Sequence, residues 1–187
     1  SETFWCNHIF FNDMVRKRTD RRPVIFHRWG GLGSHRYQIG FSGDALINFQ
    51  TLGFQPYFTA TASNVGYGYW GHDLGGHAFT DESIVNDPEL VLRWIQFGVF
   101  TPIFRTHATN DARIERRIWK FDNFPTMLEA VRLRYSLFPY LYTMARKAYD
   151  TGISVCRPLY YEYPESEEAY VYENEYFFGD DILVVPI

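Results

Sequence analysis

Along residues 2–18 the apolar side chains Phe4, Trp5, Ile9, Phe10 and Val15 recur among polar ones, and the spacing predicts a helix that ends in the polar turn 19–23. Val24, Ile25 and Phe26 follow as a short buried strand. Residues 44–53 read as a helix with Leu46, Ile47 and Phe49 apolar and Gly53 near its end. Ser63 and Asn64 then lead through Val65 to Trp70, a helix-to-strand step. Asp87 before Pro88 is a helix start, because Asp accepts from the first free amides and Pro suits the first turn; Leu90, Val91, Trp94 and Ile95 carry the helix on. After Gly98 comes an apolar run, 100–104, which meets the polar Arg105, Thr106 and His107. Residues 126–150 form a long helical pattern through Leu133, Leu137, Leu141 and Met144, with Pro139 expected to kink or split it and Thr151 and Gly152 stopping it. Residues 153–160 read as a strand and 176–187 as two strands around Gly179, Asp180 and Asp181, joined to it by an exposed Glu-rich stretch.

Strands alternating with helices indicate an α/β unit with parallel strands. About four strand–helix units can be counted, whereas a complete eight-stranded barrel takes about 250 residues. The expectation is therefore part of a barrel. Arg28, Asp73 and His107 each follow a strand-like run, and Asp44 ends a glycine-rich loop, which is where barrels carry their working residues.

Composition narrows the chemistry. With 187 residues and 46% apolar content the chain can bury a sizeable core. A formal net charge of −4, with only short basic clusters, offers no surface for nucleic acid. No apolar run approaches the roughly 20 residues of a membrane helix, and the first residues lack the plan of a signal peptide. Two cysteines, Cys6 and Cys156, do not make a disulfide framework, and this usage leaves the compartment open between cytoplasmic and periplasmic or secreted. Aromatic residues reach 19%, more than a core alone usually demands; large buried rings are the common explanation, and a sugar-binding cleft is the other.

The stretch from Arg28 through Trp29, Gly30, Gly31 and Phe41 to Gly43-Asp44, followed by Gly71-His72-Asp73-Leu74-Gly75-Gly76-His77, joins two carboxylates, arginines, aromatics and glycines in the manner of a carbohydrate-processing site. Glycoside hydrolysis needs one carboxyl to protonate the leaving oxygen and a second as nucleophile or base. Asp44 is the acid candidate, in a loop where Tyr37, Phe41 and Gly43 can desolvate it; Asp is equally a preferred helix cap. Asp73 pairs with it on this reading, or else braces the Gly75-Gly76 turn. Arg28 offers a planar fork for hydroxyls or a carboxylate, with a surface ion pair as the alternative. His107 either donates to a hydroxyl or is a loop histidine satisfied by backbone. His72, Asp73 and His77 lack the spacing of a persuasive metal set, and Gly30, Gly31 and Gly33 are not a dinucleotide loop.

Those motifs, together with Pro102-Ile103-Phe104-Arg105-Thr106-His107, Arg134-Tyr135-Ser136-Leu137-Phe138-Pro139-Tyr140-Leu141-Tyr142, Arg157-Pro158-Leu159 and the run from Phe178-Gly179-Asp180-Asp181 to Pro186, resemble glycoside hydrolase family 31, the α-glucosidase family, in order and over nearly the whole chain. The resemblance implies the second half of a (β/α)8 TIM barrel in residues 1–163, running into the start of a C-terminal β-sandwich domain in 164–187. It implies Asp44 as general acid/base, with the nucleophile aspartate upstream of this chain. Arg28, Asp73 and His107 then bind substrate, and Trp29, Phe41 and Trp70 are the candidate rings near the sugar. No metal and no cofactor are implied. The partners are an α-linked oligosaccharide or glycoside and the remaining barrel half of the same polypeptide, with no nucleic acid and no membrane. The activity implied is that of a retaining α-glycosidase, foremost an exo-acting α-glucosidase, with an α-xylosidase, an α-transglucosylase or a non-catalytic carbohydrate-binding protein as alternatives; the segment alone is expected to be inactive. Two departures bear on the sugar: Trp29 stands where many members have a small residue, and Phe41 where Trp is usual.

Overall fold

The computed structural model describes residues 2–28 and 32–186. Short parallel contacts between strand-like segments organise its first half. Phe26 bridges Ile39 in the strand β1 (Ile39–Phe41), β1 pairs in parallel with β2 (Tyr69–Gly71), and beyond β2 Leu74 bridges Thr106. Four segments thus stand side by side in chain order. Helices lie before and between them: α1 (Glu2–Lys17), α2 (Phe49–Ala62) after β1, α3 (Pro88–Val99) after β2, and after the fourth segment the pair α4 (Phe124–Ser136) and α5 (Phe138–Thr151). Parallel segments in chain order, with α2 crossing from β1 to β2 and α3 from β2 to the fourth segment, are the arrangement found in the wall of an α/β barrel.

The second half is antiparallel. In it β3 (Cys156–Pro158), β4 (Tyr176–Phe178) and β5 (Ile182–Val184) form one sheet in that order, with the short α6 (Glu168–Val171) in the connection. One core joins the halves. Tyr176 and Phe178 of the sheet are buried in the same cluster as Trp94, Ile95, Leu90 and Met127 of α3 and α4, and the Tyr176 hydroxyl donates to the Phe100 carbonyl at 2.9 Å.

Several expected boundaries are corrected. The helix expected at 44–53 begins at Phe49 and runs on to Ala62 because Asn48 caps it, accepting from the Thr51 amide at 2.7 Å; Gly53 and Pro56 lie inside it. Only Phe26 of the expected buried strand makes a bridge, and both Val24 and Phe26 are exposed. Pro23 has no N–H for a ladder, and the Gln38 side chain substitutes by donating to the Pro23 carbonyl at 3.2 Å and accepting from the Ile25 amide at 3.4 Å. The run 100–104 is a turn: the Thr101 hydroxyl bonds the carbonyls of Gly98 and Ile103 at 2.8 and 2.9 Å, and Pro102 cannot donate. Of 153–160 only Cys156–Pro158 is strand, ending where Pro158 leads into a tight helical turn.

Other local signals are realised directly. Asp87 caps α3 by accepting from Glu89 and Leu90 amides at 2.8 and 3.0 Å. The long helix breaks at Leu137, before Pro139, and Gly152 closes α5. Arg134 of α4 donates to the carbonyls of Val99, Thr101 and Pro102, the nearest at 2.5 Å, which fixes the turn from which Arg105 and His107 emerge. Cys6 and Cys156 are both free.

Candidate active site

The loops leaving the carboxyl ends of the four parallel segments bring their charged side chains together. Arg28, two residues past Phe26, donates from Nη1 to Asp44 Oδ2 at 3.0 Å and from Nη2 to Asp44 Oδ1 at 2.7 Å. This bidentate fork is the strongest geometry an Arg–carboxylate pair adopts. Phe41, at the end of β1, lies under both cations: its ring centre is 5.6 Å from the Arg28 guanidinium and 5.4 Å from that of Arg105, while Phe26 supports Arg105 at 4.8 Å.

Asp73, two residues past β2, has a fully buried side chain, and a buried carboxylate needs partners on both oxygens. It has them: Arg105 Nη2 donates to Oδ1, and His77 Nδ1 to Oδ2 at 3.0 Å. The same His77 Nδ1 lies 3.8 Å from Asp44 Oδ1, so one imidazole faces both carboxylates. His107 is exposed, its ring 5.4 Å from that of His77 at 36°. Two carboxylates and two guanidiniums therefore balance around one histidine. Asp44, 38% exposed, is the carboxylate open to a ligand, and Asp73 is the enclosed one.

Backbone geometry sets this arrangement. The turn after Asp73 closes with the Gly76 amide on the Asp73 carbonyl at 2.8 Å. Gly76 has φ +80°, and a Cβ there would meet the Ile47 backbone Cα at 2.9 Å. Only glycine lets the Asp73 turn lie against the Asp44 loop. Gly76→Ala is accordingly expected to cost roughly 2–4 kcal/mol, from the left-handed backbone and the forced separation; a thermal melt reads the loss, and an unchanged midpoint would show that the two loops tolerate spreading. Arg116 supports the turn from outside, donating from Nη2 to the Gly75 carbonyl at 2.7 Å, and burial lowers its pKa to about 10, which leaves it charged at neutral pH.

His72 sits beneath the site with no exposed surface. Its Nδ1 is 2.8 Å from the Ser42 hydroxyl and its Nε2 2.7 Å from the Thr59 hydroxyl, and burial, reinforced by the Arg105 charge, lowers its pKa to about 3. The ring is a neutral tie between β1's exit loop and α2.

Three ligand-type atoms of Asp73, His77 and His107 lie within 4.8 Å of one another, the grouping a metal ion requires. Both Asp73 oxygens, however, are already engaged by Arg105 and His77, and a cation there would compete with a guanidinium.

The comparisons follow the same line as the geometry. The model of the glycosyl hydrolases family 31 TIM-barrel domain matches residues 3–144, and that of the family 31 C-terminal domain matches residues 152–187. The chain belongs to glycosyl hydrolase family 31. This family 31 chain is 31% identical over 186 residues to "Alpha-glucosidase 2" of Bacillus thermoamyloliquefaciens, covering 98% of this chain and 23% of that protein. It is 32% identical over 175 residues to "Alpha-xylosidase" of Saccharolobus solfataricus, covering 92% and 24%. A solved family 31 α-xylosidase from a soil metagenome, complexed with xylose, superposes with a TM-score of 0.85 at 32% identity, over 97% of this chain and 30% of that one. The chain thus spans about a fifth to a quarter of the length of the curated relatives it matches.

Against the expectations for this family 31 chain, the fold brings Asp44, Arg28, Asp73, His107 and Phe41 to one place. Trp29 lies outside the described residues. Trp70 is corrected from a ring near a ligand to a core residue: it is 5% exposed, packed on Tyr67 and Phe58 and close over Gly40, where a Cβ would come within 2.9 Å of its ring. Tyr37, expected to shield Asp44, is buried against Phe4, Phe11 and His27. The helix-cap alternative for Asp44 falls away, since Asn48 holds that post. Arg105, Arg116 and His77, which pack around the same place, were not singled out from the sequence; the signal for Arg105 was its place at the end of the apolar run 100–104, two residues before His107.

Proposed function

We propose that this chain forms the second half of the (β/α)8 barrel of a retaining α-glycosidase, in about four strand–helix units running into a β-sandwich, and that the complete polypeptide is an exo-acting α-glucosidase. Asp44 is its general acid/base, and the nucleophile aspartate comes from the remainder of the polypeptide. The observation that carries this reading is the solvent-open Asp44 carboxylate at a strand end, in a fork with Arg28 and facing Asp73, Arg105, His77 and His107. Both Asp44 oxygens accept from Arg28, which is the ionised, base form that the second half-reaction needs. For the first half-reaction a sugar takes up the Arg28 hydrogens, and Asp44, released from the fork, takes a proton from solvent and gives it to the glycosidic oxygen as the nucleophile carboxylate bonds to the anomeric carbon and the glycosidic C–O bond breaks. Water then attacks that carbon and displaces the nucleophile carboxylate, while Asp44, now ionised, removes the water's proton and is returned to its acid form.

A second reading, an α-xylosidase, is supported by the α-xylosidases among the relatives. Hydrolysis of nitrophenyl α-glucoside, α-xyloside and α-galactoside by the complete polypeptide decides between them. Fastest release from the α-glucoside is expected; fastest release from the α-xyloside replaces the sugar assignment. Saturable binding of maltose-like sugars with no release from any glycoside would overturn the catalytic reading in favour of carbohydrate binding.

A further inference from the structure

The loops that carry Asp44, Asp73 and His107 are tied together at one residue, His77. Its amide donates to the Ala45 carbonyl at 2.7 Å, one residue past Asp44, and its carbonyl accepts from the Thr109 amide at 2.9 Å, two residues past His107. The side chain repeats the pattern. Its Nδ1 lies 3.0 Å from Asp73 Oδ2 and 3.8 Å from Asp44 Oδ1, and its ring faces His107 at 5.4 Å. An ionised carboxylate only accepts, so the short contact to Asp73 puts the proton of a neutral imidazole on Nδ1.

Asp73 has two oxygens and a single torsion that aims them. With Arg105 on one oxygen alone, the carboxylate could swing and carry the guanidinium with it, and the other oxygen would be left buried without a partner. The His77 bond closes that freedom. We infer that His77 is a positioning residue: its Nδ1–H fixes Asp73, through Asp73 it fixes Arg105, and it holds both in register with Asp44. This rests on the reading of Asp44 as general acid/base. Misplacement of such groups by about an ångström is enough to slow a reaction strongly.

The test uses the complete polypeptide and a nitrophenyl α-glycoside that it hydrolyses. His77→Phe keeps a ring and removes the donor. His77→Asn removes the ring but sets an amide N–H near the place of Nδ1–H. A positioning role predicts that the Phe variant loses about 10- to 100-fold in kcat/KM, the scale of one charge-assisted hydrogen bond, and that the Asn variant restores most of the loss. Simple packing predicts the reverse order, with Phe the better replacement. In an Asp73→Asn background His77→Phe should add little, because its partner is already altered. Nitrogen NMR of the unaltered protein supplies a readout free of folding effects: a His77 ring protonated at Nδ1 is expected, and a neutral ring protonated only at Nε2 overturns the inference. A Phe variant as active as the wild type also overturns it and leaves the glycosidase reading standing. A wild-type protein inactive on every glycoside removes both.

Discussion

Asp44→Asn in the complete polypeptide is expected to lower release of glucose from maltose-like substrates by about 10²- to 10⁴-fold, the range that a positioned proton donor contributes. The loss should depend on the leaving group. A sugar or poor aryl alcohol must be protonated as it departs, whereas nitrophenolate leaves well unaided, so the maltose-like substrate should suffer the larger drop. Equal drops on both, or none on either, would remove Asp44 from the acid role. Folding is not expected to cloud the result. The Arg28–Asp44 pair is 41% and 38% exposed, and pairs so open to water contribute at most about 1 kcal/mol. Asp73→Asn makes the informative contrast. It alters an enclosed carboxylate held by Arg105 and His77, so it should reduce both substrates alike, because it disturbs placement and not proton transfer to the leaving oxygen.

That division between Asp44 and Asp73 was only half legible in the sequence. Strong local signals were realised where they depend on neighbours in the chain: Asp87-Pro88 starts α3, Pro139 divides the long helix, and the Gly179 hairpin joins β4 to β5. The strand that delivers Asp44 was hidden. β1 is three residues long inside a glycine-rich stretch, and its partners Phe26 and Tyr69 lie far along the chain, so no alternation marks it. Asp44 as a helix cap was a fair local reading, and it fails because the loop runs four residues further to Asn48 before α2 begins. Trp70 is the converse case. An aromatic beside a catalytic-looking motif reads as a sugar platform, but β2 turns it toward α2, where it fills space over Gly40. His77 could not be placed at all from sequence, since its meaning comes from the contact of three loops.

Below pH 6.5 the protein is expected to lose stability through His72 before its carboxylates contribute. Burial holds the pKa of His72 near 3 in the folded state against 6.5 for an open histidine, so the unfolded chain binds a proton that the folded chain refuses. The sign follows directly: the group costs nothing above 6.5, and stability then falls as pH drops, by about 1.4 kcal/mol per unit, until the folded state too is protonated near 3. Between neutrality and pH 4.5 the loss amounts to roughly 2–3 kcal/mol, a sizeable share of what holds a domain together. Carboxylates with lowered pKa act later: Glu115, at about 2 against 4.5, gives up its contribution only below 4.5. The window from 6.5 to 4.5 therefore isolates buried histidine. Urea melts of the complete protein across that window should show the decline, and His72→Gln, which cannot take a proton, should flatten it even if its starting stability is lower. Parallel slopes for the two proteins would mean that His72 is readily protonated where it stands, and that its bonds to Ser42 and Thr59 do not hold the ring neutral beneath the Asp44 loop.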